Sequence, residues 1–224
     1  LAQALDTIAA GAITDAQLAQ LMGALAGINT IDDLIRAIEQ LSPELYTAMQ
    51  KVGFDIRRAY NSQLSQRLAV LRGGPQAGDL KLGDWSVWLR GTLATGDQDD
   101  KNVNPGYKFD SYGFVLGADA RMNVDWTFGL SFGFAQTDMK WGGPQDADAD
   151  IDSYQLGLYT GFQDGPLFVN ATFGVGWNKY DVGRTVVIGG FNRRIEADYD
   201  GTEYSFALGA GYEFRLNSCL LIPE

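Results

Sequence analysis

Two short acidic runs are the first places where this chain offers residues for chemistry. Asp97-Gln98-Asp99-Asp100-Lys101-Asn102 brings oxygen donors together at the close spacing of a calcium loop. It lacks the glycine and the distal bidentate glutamate such a loop needs, so it reads as a solvated loop. Asp146, Asp148, Asp150 and Asp152 alternate, and in an extended segment they share one face. They offer carboxylates to a divalent cation or to an ion bridging lipopolysaccharide; the plainer reading is a charged strand extension in water. Gly27, Gly117 and Gly174 compose no nucleotide-binding loop. The chain has no histidine, which removes the usual general base, the commonest metal ligand and a serine–histidine pair. Cys219 stands alone and has no internal disulfide partner. A net charge of −11 argues against nucleic acid, whose phosphates need a basic surface. No enzyme activity, cofactor or metal is expected.

The elements that carry these runs alternate with period two. Leu167-Phe168-Val169-Asn170-Ala171-Thr172-Phe173-Gly174-Val175-Gly176-Trp177-Asn178 places Leu, Val, Ala, Phe, Val and Trp on one face. Asn, Thr and Gly dominate the other. Similar runs are read over about 85–93, 107–121, 126–138, 150–162 and 203–216, and a further run begins at Cys219. Phe128, Leu130 and Phe132 share one face of the third run, and Leu156 and Leu158 one face of the fourth. Val169 and Phe173 do so in the fifth, and Phe206 and Leu208 in the sixth. An aromatic and leucine-rich face opposite a Gly/Ser/Thr/Asn face describes a transmembrane β-barrel turned to lipid outside and to polar space inside. No apolar run is long enough for a spanning helix. The connections 122–125, 163–166 and 217–218 read as short turns. Those over 97–106, 139–149 and 182–202 read as long polar loops, an asymmetry that outer-membrane barrels show. Tyr107, Trp126, Trp141, Trp177, Tyr180 and Tyr204 fall near strand ends, where interfacial aromatic girdles sit.

The region before the strands has a helical period. Residues 1–41 are Ala/Leu-rich, with Thr14 and Thr30 as N-caps and Asp33 completing an Asp version of the capping box. A longer helix starts at Ser42-Pro43-Glu44 and runs to Arg72, before the breaker Gly73-Gly74-Pro75. Leu64, Leu68 and Leu71 make only a weak apolar stripe on it. A long helix this polar needs polar surroundings or water on most sides.

The ordered set resembles the C-terminal translocator of monomeric autotransporters (type V secretion). It comprises Leu41-Ser42-Pro43-Glu44-Leu45-Tyr46, Gln63-Leu64-Ser65-Gln66-Arg67-Leu68, Trp85-Ser86-Val87-Trp88-Leu89-Arg90-Gly91, Ile151-Asp152-Ser153-Tyr154-Gln155-Leu156-Gly157-Leu158-Tyr159 and Ala197-Asp198-Tyr199-Asp200-Gly201. The resemblance implies an all-β transmembrane barrel, an antiparallel meander, preceded by an α-helical linker that threads the pore. About six of an expected twelve strands are present. It divides the chain into a short-helix junction over 1–41, a pore-threading linker over 42–75 and the N-terminal half of a barrel over 83–224. It further implies that Arg57, Arg58, Arg67 and Arg72 of the linker face a lumen carrying Asp119, Glu203 and Glu213. Phe128, Leu130, Phe132, Leu156, Leu158, Val169, Phe173, Phe206 and Leu208 would meet lipid.

The implied location is the Gram-negative outer membrane, with the passenger at the cell surface or secreted. The implied partners are outer-membrane lipid and lipopolysaccharide, the chain's own passenger and the barrel-assembly machinery. Starting at Leu, the chain reads as an excerpt of a longer precursor. Six strands cannot close around a helix, so an open sheet is expected, one that makes no stable pore by itself. Some family members cleave their own linker; Asn61 with Asp119, Glu203 or Glu213 is a weak match because the linker has no Asn-Asn pair. The alternative is a porin or surface-antigen barrel, which has no need of the preceding helix. A soluble lipocalin-type barrel would want an apolar inner face, against the parity of these runs.

Overall fold

The computed structural model of the chain describes residues 16–41, 44–73, 79–99, 106–142, 146–216 and 219–221. Thr14, Ser42-Pro43, Gly74-Pro75 and Asp100-Lys101-Asn102 lie outside the described residues. Three helices come first: α1 (Ala16–Ala26), α2 (Ile31–Leu41) and α3 (Glu44–Arg72). At the start of α2 the Thr30 Oγ1 accepts from the Asp33 N–H at 3.2 Å and donates to Asp33 Oδ2 at 2.6 Å. That satisfies one of the four orphan N–H groups of the first turn, where Asp32 and Asp33 also meet the positive end of the helix dipole.

One seven-stranded antiparallel sheet follows in sequence order. It consists of β1 (Leu80–Leu82), β2 (Trp85–Gln98), β3 (Tyr107–Arg121), β4 (Trp126–Trp141), β5 (Ala147–Asp164), β6 (Leu167–Ile188) and β7 (Phe191–Tyr212). Short β8 (Phe214–Leu216) and β9 (Cys219–Leu221) pair with each other. Among the described residues the sheet is open: β1 and β7 each pair on one side only.

The strands are longer than expected, and the loops correspondingly shorter. The segment 182–202, read as a long loop, is instead the far end of a hairpin that turns at Gly189-Gly190, with Gly189 at φ 55°. Likewise β4 runs on to Trp141, β5 starts at Ala147 and β2 reaches Gln98. The polar residues there alternate with Val182, Val186 and Ile188, so the pleat continues; Val186 and Ile188 are covered by α1 and α2, and Val182 packs with α3. A membrane strand needs only about 9–11 residues, whereas β6 and β7 have 22 each. The asymmetry of this end therefore lies mainly in strand length.

Helix α3 lies along the inner face of the sheet. Its 29 residues at about 1.5 Å rise make a rod of about 43 Å, longer than a hydrocarbon core of about 30 Å. Leu45, Met49, Val52, Arg57, Tyr60, Leu64, Arg67 and Leu68 are buried at steps of three to five residues or adjacent, one helical face. Its upper part packs with Tyr107, Met139, Trp141, Ile151, Tyr180 and Val182. Its lower part packs with Trp88, Val115 and Tyr159. Tyr107, Trp141 and Tyr180 thus point inward rather than into an outer girdle, because strand parity turns them toward Leu45, Met49 and Val52. Trp126, Trp177 and Tyr204 are exposed on the outer face.

Candidate functional site

The inner wall is small enough to admit a helix because glycine, serine and threonine alternate along β4, β5 and β6. The helix contributes long cations to it. Arg57 lies over Gly176 of β6, where any Cβ would collide with the guanidinium. There Nε stands 3.4 Å from Glu203 Oε2, and Nη2 donates to the Glu203 carbonyl at 3.3 Å. Glu203 in turn accepts from Asn178 Nδ2 at 2.7 Å. Arg72 Nε lies 3.4 Å from Glu213 Oε1, and its guanidinium covers the Phe168 ring at 3.8 Å. Between them Arg67 binds two carboxylates. Its Nε and Nη2 donate to Asp119 at 2.7 and 3.0 Å, and its Nη1 and Nη2 to Asp79 at 3.0 and 2.7 Å.

Asp119 is held from behind. Tyr159 Oη donates to its Oδ2 at 2.9 Å, and Trp88 Nε1 donates to Tyr159 Oη at 2.8 Å. Sequence reasoning quoted Trp88 and Tyr159 only as parts of the resemblance and gave neither them nor Asp79 a role in the site. Asp79 directly precedes β1, and Tyr159 has the inner parity of β5, so both were findable by position. Arg58 is exposed: one residue around the helix from Arg57, it faces away from the described strands. Asn61 Oδ1 accepts from Ser205 Oγ at 3.4 Å and is not brought to Asp119 or Glu213 by any described bond. A crevice of about 270 Å³ remains between α3 and strands β2–β4, bordered by Ala59, Gln63, Thr92 and Ser111.

The outer face differs in kind. Phe128, Leu130, Phe132, Leu156, Leu158, Phe173, Phe206 and Leu208 are exposed there, and Val169 is half-buried. Above this apolar band the pairing register sets Asp110, Asp138, Asp150, Asp181 and Asp198 directly opposite one another in neighbouring strands. Like charges directly opposed cost stability. The Asp150 carboxyl accordingly titrates above its ordinary value. Partial withdrawal from water comes first, then the hydrogen bond to Asp138 and the charges of Asp138, Asp148 and Asp181. Asp148 is drawn off toward Arg194, whose Nη2 donates to both its oxygens at 3.0 Å. Among the described residues no group of three or more potential ligands has the geometry to hold a metal ion.

An apolar outer band, a polar inner wall and a helix bound to that wall define a membrane β-domain with an internal helix. The family model of the autotransporter beta-domain matches residues 87–224, more than half the chain. The chain belongs to the autotransporter beta-domain family. It is 27% identical over 197 residues to an extracellular serine protease of Serratia marcescens, covering 88% of this chain and 19% of that protein. It is 25% identical over 140 residues to the esterase EstA of Pseudomonas aeruginosa, covering 58% of this chain and 22% of that protein. It is 25% identical over 203 residues to outer membrane protein B of Rickettsia rickettsii, covering 78% and 12% respectively. The chain thus spans about a fifth or less of these relatives' length.

In fold it is similar to the translocator domain of the autotransporter NalP from Neisseria meningitidis. The TM-score is 0.52 and the identity 17%, over 71% of this chain and 54% of that one. Its place is the bacterial outer membrane, and its role is that of a translocator domain rather than a porin.

Proposed function

We propose that this chain carries its own N-terminal passenger across the outer membrane and then keeps α3 in the pore as a tether. The observation that carries this reading is the set of three buried arginines, Arg57, Arg67 and Arg72, each against a wall carboxylate. A buried guanidinium is tolerated only when paired, so both partners are committed to one helix position. A porin has no use for a long helix bound along its inner face. On this reading residues 1–41 belong to the passenger junction, 42–75 to the threaded linker and 83–224 to the barrel.

The outward Phe, Leu and Val residues meet lipid, and the acidic strand ends stand among lipopolysaccharide headgroups. The barrel-assembly machinery inserts the sheet, whose β1 and β7 edges need partner strands in lipid, because each unpaired backbone group there costs several kcal/mol. The chain itself performs no catalysis; any enzyme activity of the full polypeptide belongs to the passenger. The test is protease shaving of intact cells that produce the full-length precursor. The passenger should be cut from outside, while the β-domain stays in the outer-membrane fraction with heat-modifiable migration. A passenger protected in intact cells would refute the proposal.

A further inference from the structure

The outer face of the sheet is not evenly filled. The pairing register sets Phe128, Thr160, Ala171 and Leu208 in one outward row across β4–β7, with Leu158 and Phe173 in the next row. Thr160 and Ala171, side by side, are smaller than the residues around them, and a groove of about 410 Å³ opens over them. The Thr160 hydroxyl donates to the Thr127 carbonyl at 3.0 Å, so it is not left free in the floor. We propose that this groove and the acidic turns beside it form a seat for one phospholipid whose headgroup carries an ammonium, in the leaflet at the short-turn end. The inference rests on the membrane placement of the sheet in the reading above and names the lipid that one part of its outer face holds.

An apolar groove alone does not choose a lipid, because acyl chains are as apolar as the side chains that line it. The choice falls to charge at the headgroup level. Asp164 lies four residues beyond Thr160 on the outward side of β5, about 13 Å along the strand and less in depth, because barrel strands tilt. Half of a hydrocarbon core is about 15 Å, so a lipid with its headgroup at Asp164 has its chain in the groove. Asp125, in the turn before β4, is brought to the same place: its carbonyl accepts from the Gln163 N–H at 2.8 Å. Asn123 Oδ1 fixes that turn by accepting from the Asp125 and Trp126 N–H groups at 2.9 and 2.8 Å. Between these carboxylates and the groove, Trp126 stacks on Phe128 at 5.7 Å and packs against Phe162 at 5.0 Å, an aromatic layer of the kind found at a membrane interface.

Both aspartates are exposed, and the described basic residues of this end are drawn to the other side of the sheet. Arg121 Nη2 donates to the Leu71 carbonyl of α3 at 3.4 Å, Lys81 donates to Ser86 Oγ, and Arg72 pairs with Glu213. Among the described residues the outward rim here therefore offers a lipid headgroup carboxylates and no cation. A primary ammonium donates charge-assisted bonds to carboxylates, whereas an anionic headgroup is repelled by them. The long-strand end differs: Lys108 and Lys140 stand directly opposite each other there, and Arg194 lies against Asp148.

The test uses the purified full-length precursor in bilayers that mix phosphatidylethanolamine with phosphatidylglycerol, one or the other brominated in its acyl chains. Quenching of Trp126 is read as the difference between the wild type and Trp126→Phe. Phosphatidylethanolamine should occupy the seat in about threefold preference, the size of an exposed ion pair. Raising the salt should shrink that preference. The double variant Asp125→Asn/Asp164→Asn should abolish it, and Asp125→Lys/Asp164→Lys should reverse it. Ala171→Phe, which fills the floor, should abolish it with both carboxylates intact. Heat-modifiable migration is read in every variant, and Asp164→Asn alone, which should weaken the preference, stands in where a double variant does not assemble. Equal occupation by the two lipids in the wild type would overturn the seat, as would a preference that survives the loss of the carboxylates or the filling of the groove. Failure of the wild type to enter bilayers of any of these compositions would overturn the membrane placement instead, so the two failures are distinct.

Discussion

Gly157→Ala, a gain of one methyl group, should loosen the seat of α3. Tyr60 of the helix fits a notch in the wall, where its hydroxyl lies 2.7 Å from Ser131 Oγ and donates to the Ser131 carbonyl at 3.3 Å. A Cβ at position 157 would stand 2.6 Å from the Tyr60 hydroxyl, 2.9 Å from Ser131 Oγ and 3.0 Å from a Leu64 methyl. Leu64 is fully buried and has no open space to move into, and a shift of Tyr60 toward the crevice it borders would draw its hydroxyl off Ser131. Overpacking of this kind costs about 1–3 kcal/mol. Displacing the tyrosine from Ser131 adds about 0.5–1.5 kcal/mol. The better strand preference of alanine returns about 0.5–1 kcal/mol. The net loss should be about 1–3 kcal/mol, and each kcal/mol lowers a midpoint by about 2–4 °C for a chain of this size. Tyr60→Phe alone should cost about 1 kcal/mol through its lost hydrogen bonds. In the double variant the colliding hydroxyl is gone, so the two losses should fall short of their sum by about 1 kcal/mol. The assay is the midpoint of heat-modifiable migration of the refolded full-length protein across the four members of the cycle. A Gly157→Ala midpoint at or above wild type, or strict additivity in the double variant, would refute this account of the notch.

Three further outcomes follow from the same geometry. Gln40→Ala removes the side-chain oxygen that accepts from the Val187 N–H at 2.6 Å, so α2 should release the β6–β7 hairpin at a cost of about 1–3 kcal/mol. Hydrogen exchange at Val187 should accelerate by tenfold or more, and unchanged protection would contradict the contact. On the outer face, Leu156→Arg should cost about 2–4 kcal/mol if that position sits near the bilayer midplane. The same change at exposed Lys179, above the apolar band, should be silent, and equal effects on insertion would undo the assignment of the band. Asp150 gives a pH dependence. Its folded value lies above the ordinary 3.8, so its stabilising contribution is complete below that value and is lost as the pH rises through the folded value. Asp150→Asn should therefore raise the heat-modifiability midpoint at pH 7 and lose that advantage below the ordinary carboxylate range. A variant equally stabilised at both pH values would rule out titration as the cause.

The inner and outer faces were legible from parity alone, because a strand cannot turn a residue to the other face without a bulge or a slip in register. This is why Phe128, Leu130, Leu156 and Leu208 are exposed where the alternation puts them. The helix was legible from its composition: a run as polar as 51–72 needs polar company. Strand ends were less legible. The 182–202 segment is rich in charge, and charge says that a backbone is in water without saying whether it is paired. Its pairing depends on the β6–β7 register and on the apolar cover from α1 and α2, both tertiary facts. For the same reason Tyr107, Trp141 and Tyr180 were expected at an interface, whereas the helix claims them for the inner face.

The sequence by itself determined the class of molecule, since alternation, glycine on one face and aromatics on the other are local consequences of strand geometry. It also supplied the charges: cations on the helix and carboxylates on the wall. Only the tertiary structure decided which charge meets which. Arg67 lies 52 residues from Asp119, Arg57 lies 146 from Glu203, and Arg58 beside it is exposed. Such partnerships depend on the rotation and depth of a rigid helix against a pleated wall, where about 100° or 1.5 Å per residue separates a buried pair from an exposed side chain.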